Sequence, residues 1–291
     1  MKPKETRAGK SVAERAGSAA LHVYAALVLF FLFAPLIVIV PLSFNAEPYF
    51  TITPGMAALD PSAYSTRWYA DILENPQWLE AMRNSLIIGA FATLLATVLG
   101  TLAALGLSRA DLPWRNAIMG VVLSPLIVPV VIAAAGMYFF FSWIGLAQTT
   151  PGLVLAHAAL GAPFVVVTVL ATLAHFDRNL VRAAQSLGAP PRIAFFRVTL
   201  PVIMPGVISG ALFAFITSFD EVVMVLFLGG PDQRTIPLQM WNGIRTQISP
   251  TILAVAAVLI VISTALFVVM ELLRRRSARL HGAHAKHAAL R

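Results

Sequence analysis

A chain of 291 residues that is 58% hydrophobic and only 12% charged lies far from the roughly 25% charge of a soluble domain, which excludes a soluble protein with one greasy patch. The net charge is +8, yet the bases sit in tails and short loops without interleaved stacking aromatics, which excludes a nucleic-acid surface. With no cysteine, disulfides and thiolate metal sites are excluded too.

Residues 1–20 are a basic tail carrying Lys2, Lys4, Arg7, Lys10 and Arg15. Within it, Gly9-Lys10-Ser11 resembles the end of a phosphate-binding loop. The glycine required five positions earlier is Lys4, and no strand pattern precedes it, so any nucleotide is expected on another chain. An apolar run follows over 21–43. It is longer than the 7–15 residues of a signal-peptide core and no small-residue cleavage site follows, so it reads as a retained anchor.

The stretch 44–83 is rich in aromatics: Tyr49, Phe50, Tyr64, Trp68, Tyr69 and Trp78. It reads either as an interfacial aromatic belt or as a docking surface for a soluble partner. Five more apolar runs lie near 84–107, 117–141, 152–174, 203–228 and 251–273. A bilayer core of about 30 Å needs about 20 apolar residues in a helix. Lipid offers no hydrogen bonds, so each run must satisfy its own backbone as a helix. The ten-residue alternation of a membrane β-barrel is missing. The expected fold is an all-α integral membrane protein of about six transmembrane helices.

Pro35, Pro41, Pro125, Pro129, Pro163 and Pro205 fall inside these runs, where kinks are expected. Gly206 and Gly210 have the spacing that lets helix backbones approach closely. Seventeen of the 21 Lys and Arg residues fall in the two tails and in the loops after the second and fourth runs. Arg67, Arg83, Arg234 and Arg245 fall on the other side. The positive-inside bias therefore predicts both termini in the cytoplasm.

The loop after the fourth run, residues 175–201, is unlike the others. Asn179 is expected to cap a short helix running to about Leu187. Gly188 suits the helix end, and Pro190-Pro191 stop continuation. A second amphipathic piece would turn Ile193, Phe196 and Val198 one way, with Pro201 at the entry to the fifth run. Ala183 and Ala184 give a smooth face that another protein could approach. The rival reading is an amphipathic hairpin lying on the bilayer, held by its arginines.

Arg182-Ala183-Ala184, Gly188, Val198 and Leu200-Pro201 resemble, gap for gap, the signature loop of binding-protein-dependent ABC importer permeases: Glu-Ala-Ala, three residues, Gly, nine residues, Ile, one residue, Leu-Pro. The resemblance implies the MetI-like permease architecture over residues 21–275, flanked by the tail 1–20 and a basic tail over 276–291. It implies that the loop is a coupling helix seated in a cleft of a separate ATP-hydrolysing subunit, with Leu187 among its residues. It further implies a second permease, two ATPase subunits, a periplasmic solute-binding protein, ATP and Mg on the ATPase alone, and a place in a bacterial inner membrane. Arg182 departs from the family's glutamate and reverses a charge. Val198 replaces isoleucine conservatively.

Two further stretches resemble the spermidine/putrescine branch of this family: Trp68-Tyr69 with Asn84-Ser85, and residues 218–245, which include Trp241. Trp68, Tyr69 and Trp241 are the candidates for binding-protein docking. The branch implies a small solute such as a polyamine, with an opine, iron or an amino-acid-like compound as alternatives. Asp220 and Glu221 lie about 26 Å along the fifth run at 1.5 Å per residue. One reading is a negative site on the solute path, suited to a cation. The other is a polar pair at a helix break. His281, His284 and His287 recur at spacing three in a basic tail, and a solvated tail is the simpler reading. His157 and His175 stand without a ligand set, so no metal or catalytic centre is expected. An ion-coupled transporter would show internal repeats and broken midplane helices, and no repeat joins the two halves.

Overall fold

The computed structural model describes residues 12–109, 111–246, 249–265 and 268. The phosphate-loop remnant, the histidine tail and the predicted tail over 276–291 lie outside these residues. Helices account for nearly all regular structure, with one isolated antiparallel bridge between Asn45 and Tyr64.

In chain order the helices are α1 (Val12–Leu42), α2 (Pro54–Ala57), α3 (Arg67–Glu74), α4 (Pro76–Leu107), α5 (Arg115–Ile127), α6 (Val130–Trp143), α7 (Thr150–Leu173), α8 (Asn179–Ser186), α9 (Pro191–Ala194), α10 (Leu200–Phe219), α11 (Val223–Leu228), α12 (Ile236–Thr246) and α13 (Thr251–Ala265). Short 3₁₀ turns occupy Pro61–Ala63 and Pro231–Gln233, and a π turn at Phe195–Thr199 carries α9 into α10. Four continuous helices are long and apolar enough to cross a membrane: Gly17–Leu42, Pro76–Leu107, Thr150–Leu173 and Pro191–Phe219.

Two of the expected spans take a different form. The third, predicted as one helix over 117–141, is α5 and α6 bent by 106°. Pro129 carries no N–H and holds the chain extended at Val128-Pro129 (φ −69°, ψ 131° at Val128), so the helix restarts in a new direction. The fifth, predicted over 203–228, stops at Phe219, and α11 starts afresh at Val223. The sixth is represented by α13, which is described as far as Ala265.

The chain divides into two compact units. Of the described residues, one unit takes 12–71 with 249–260, and the other takes 72–109 and 111–246 with 261–265 and 268.

In the first unit the chain leaves α1 and folds around Asn45, which is fully buried. Its Nδ2 donates to the carbonyls of Tyr49 and Thr51, both at 3.0 Å, and its Oδ1 accepts from the Glu47 N–H at 2.9 Å. Thr53 caps α2 and Asp60 caps the following 3₁₀ turn. The Thr251 hydroxyl donates to Asp71 at 2.7 Å, tying the start of α13 to this loop.

The second unit is built on α4, α7 and α10. Asn75 starts α4 by accepting from the Gln77 N–H at 3.0 Å, with Pro76 at the first helical position. Thr149 does the same for α7 through Gly152. Their contact faces are made of small residues. A Cβ on Gly161 would meet Ala214 at 2.9 Å, and one on Gly210 would meet the Val165 backbone at 2.7 Å. In lipid the solvent is as apolar as the side chains, so close backbone approach drives this packing. A second core, with Ile88, Phe141, Leu153, Met224 and Leu228, lies among α4, α6, α7 and α11.

Candidate functional site

The predicted elbow after α7 forms as a compact helix–turn–helix. Asp177 rather than Asn179 caps α8: its Oδ1 accepts from the Asn179 N–H at 2.9 Å, which makes Asn179 the first helical residue. An aspartate serves because its carboxylate reaches the amide two residues on. At the other end the Gly188 N–H bonds the Gln185 carbonyl at 2.9 Å, and the Ala189 N–H bonds the Ala184 carbonyl at 3.0 Å. This pair of bonds is a Schellman closure. It requires a left-handed residue, and Gly188 has φ +85°.

The elbow is fixed to its own unit by arginine. From the elbow, Arg178 donates to the Ser108 carbonyl; beside it Arg115, the first residue of α5, donates through Nε to the Leu107 carbonyl at 2.7 Å. Both acceptors are final-turn groups of α4 left without intrahelical donors, and a cation there also suits the helix dipole.

What the elbow presents outward is bare. Leu187 at its tip is 89% exposed, and Arg182 and Ala183 are exposed beside it, while Ala184 is half-buried. Arg182 meets no carboxylate among the described residues, and its carbonyl accepts from the Ser186 hydroxyl. Ile193 and Phe196 are exposed, Val198 and Leu200 half-buried, and Pro201 exposed within the first turn of α10.

The acid pair separates into two roles. Asp220 follows the last residue of α10, exposed, and its carboxylate meets no donor among the described residues. An acid at a helix C-terminus opposes the macrodipole. Glu221 turns back onto α11, where its Oε1 accepts from the N–H groups of Val223 at 2.7 Å and Met224 at 3.0 Å. Glu221 therefore caps a helix start, the favourable end for an anion.

Trp68 and Tyr69 stand in the first unit and Trp241 in the second. The Trp68 indole N–H donates to the Asn45 carbonyl at 2.7 Å, under the Arg67 guanidinium at 4.1 Å from the ring. The Tyr69 hydroxyl lies 2.6 Å from that of Ser43, and its ring packs on Phe44. Both are half-buried. Trp241, on α12, is 45% exposed.

Asn84-Ser85, noted in the sequence without a role, staple the segment after α11. Asn84 donates to the carbonyls of Asp232 at 2.8 Å and Arg234 at 3.0 Å, and the Ser85 hydroxyl accepts from the Ile236 N–H at 2.8 Å. Contacts about 150 residues apart leave no periodic signal. Sequence reasoning also left His157 without a role. It is 1% exposed, and its Nδ1 lies 2.8 Å from the Ser218 hydroxyl and 3.1 Å from the Ser218 carbonyl.

Residues 96–279 match the family described as binding-protein-dependent transport system inner membrane component. The spermidine/putrescine transport system permease protein PotC of Haemophilus influenzae is 31% identical over 85% of this chain and 93% of its own length. The putrescine transport system permease protein PotI of Escherichia coli K12 is 34% identical over 79% of this chain and 82% of its own. The fold is similar to a chain in the crystal structure of a bacterial ABC transporter involved in the import of alginate, with a TM-score of 0.67 at 14% identity, covering 90% and 96% of the two chains. With its elbow, its small-faced core and a match over more than half of its residues, the chain belongs to the family of binding-protein-dependent transport system inner membrane components.

Proposed function

We propose that this chain is a permease subunit of an ATP-driven importer and forms half of the pathway for a small organic cation, a polyamine of the putrescine and spermidine class. Its companions are a second permease, two ATPase subunits that hold ATP and Mg, and a periplasmic solute-binding protein. The chain binds no cofactor, spans a bacterial inner membrane several times and keeps both termini in the cytoplasm, as its arginine and lysine distribution predicts.

The observation that carries this reading is the elbow. Its helix is closed at both ends by its own hydrogen bonds and held to α4 by Arg178, yet its apolar tip at Leu187 is left bare. A rigid projection with an uncovered apolar end suits a cleft in another protein. In the assembled importer, ATP closes the ATPase pair. The elbow has different contacts with the open and closed pair, and that difference biases the permease between outward and inward access. Arg182, Ala183, Ala184, Leu187 and Gly188 form the docked face, with Val198, Leu200 and Pro201 leading the motion into α10.

The chain has no cysteine, so one introduced thiol is unique. Ala183→Cys should crosslink to an ATPase subunit in the assembled complex, and the yield should change when ATP is trapped. Labelling of this position by lipid-soluble reagents instead would sink the reading. Arg182 reverses the family's charge, so the ATPase is expected to be acidic or neutral there. With the native ATPase, Arg182→Glu should lower putrescine uptake at least tenfold, and normal uptake would refute the charge argument.

Asp220 and Glu221 support a cationic solute. An uncompensated carboxylate at a helix C-terminus opposes the local field, and such departures cluster at functional sites. Glu221 holds the break, while Asp220 keeps its carboxylate free for the solute. Asp220→Asn should abolish most putrescine uptake while ATP hydrolysis by the complex persists. Trp68 and Tyr69 in the first unit, and Trp241 in the second, are each candidates for contact with the binding protein. In this reading Trp68 and Tyr69 act by holding their loop in shape.

A further inference from the structure

His157 is a buried ionisable side chain in the middle of α7, and the elbow and the acid pair give it no task. Its geometry is specific. The Ser218 carbonyl, 3.1 Å from Nδ1, can only accept, so the tautomer that bonds it carries the proton on Nδ1, with the Ser218 hydroxyl at 2.8 Å in reach of the same proton. That carbonyl lies in the last turn of α10, where no further helical N–H follows. His157 thus caps a helix end from a neighbouring helix.

The capped residue stands two positions before Asp220, where α10 stops. Glu221 performs the matching task on the far side of the break by capping α11. The interruption between Phe219 and Val223 is therefore held at both lips by side chains, one of them supplied by α7. The other ring nitrogen, Nε2, is buried without a partner among the described residues, as is the Thr93 hydroxyl on α4. The contacts of Gly100 with Val165 and of Gly161 with Ala96 set α4 and α7 in a parallel register that brings residues 92 and 93 level with His157. A buried polar atom left unpaired costs stability, and an apolar residue would have packed this site without that cost.

We propose that His157 is a positioning residue for solute transfer: through its Nδ1–H it fixes the end of α10 and so the place where the Asp220 carboxylate stands. The proposal rests on the reading of Asp220 as a contact of the cationic solute.

The test uses the complete importer in proteoliposomes, with its binding protein and radiolabelled putrescine. Uptake and ATP hydrolysis are measured on the same vesicles. His157→Leu should lower putrescine moved per ATP hydrolysed at least tenfold, with stimulated hydrolysis within twofold of the parent. His157→Asn places an N–H where Nδ1 stands and should recover that ratio to within threefold. His157→Gln, whose amide reaches the Nε2 position, should not. A purely structural histidine would lower hydrolysis and uptake together, and this result would overturn the proposal, as would an unchanged ratio in His157→Leu. If His157→Leu does not assemble, the Asn and Gln pair still decides, because equal behaviour of the two would refute a role for Nδ1. On an Asp220→Asn background His157→Leu should add less than twofold. Normal uptake by Asp220→Asn alone would remove the solute-path reading itself. Lost uptake in Asp220→Asn beside an unchanged His157→Leu would remove only the positioning role.

Discussion

At the scale of single residues, a few side chains and one glycine hold the segments that face away from the apolar core. Gly188 adopts φ +85° with open space around the position of a Cβ. Gly188→Ala should therefore cost only the conformational penalty of a left-handed alanine, about 1–2 kcal/mol. The expected outcome is weaker ATPase association with unchanged insertion, read by co-purification. Asn45 is the opposite case, since every polar atom of its buried side chain is used to hold the exposed turn that follows it. Asn45→Ala strands two carbonyls and an N–H and should destabilise the first loop by about 1–3 kcal/mol, visible as faster proteolytic nicking within residues 44–66. In the same loop the Asp60 carboxylate is held below its ordinary value of 3.8, first by the Ser62 N–H and then by the Ser62 hydroxyl. A lowered folded-state value means support that is present above the unfolded value and lost as pH falls through the lowered one. Nicking should therefore rise in strong acid, and Asp60→Asn should remove that acid dependence.

At the scale of elements, glycines that look alike in the sequence separate by what stands opposite. A Cβ on Gly206 would meet the Thr172 hydroxyl at 2.2 Å and the Thr168 carbonyl at 2.9 Å, whereas one on Gly106 meets nothing within 4 Å. Gly206→Ala should force α10 off α7 and cost about 1–3 kcal/mol. Gly106→Ala should be neutral or stabilising by up to about 1 kcal/mol. Thermal unfolding in detergent compares the two. The helical class and the signature elbow were legible because apolar run length and a fixed residue spacing are local signals. The break at Val128-Pro129 was not, and the one after Phe219 was legible only as one of two readings of the acid pair, not as the end of the fifth span. Hydropathy reads straight through both, and proline alone does not separate a kink from a break: Pro163 lies inside the intact α7, whereas Pro129 precedes a new helix. The caps from Asp177, Glu221 and His157 were equally hidden. Which acid faces an amide and which faces open space depends on where the helix ends. For His157 it also depends on a partner 61 residues away.

At the scale of the whole molecule, the fold is that of one component in a larger machine. In the proposed reading Leu187 and Arg182 act only against another chain. The pair α5 and α6 carries a similar implication. Their 13 and 14 residues rise about 20 Å each, short of a hydrocarbon core of about 30 Å. Neither arm crosses alone, so the pair makes either one broken span or a re-entrant loop, and in a broken span the bend at Val128-Pro129 would stand where water is scarce. The last carbonyls of α5 point out of an open helix end there, and hydrocarbon cannot answer them. A lone copy adrift in the bilayer would carry those unanswered acceptors as a standing penalty. Made without its companions, the protein should be cleared by membrane quality-control proteases, and pulse-chase turnover with and without co-expression of the second permease would reveal it as an orphan.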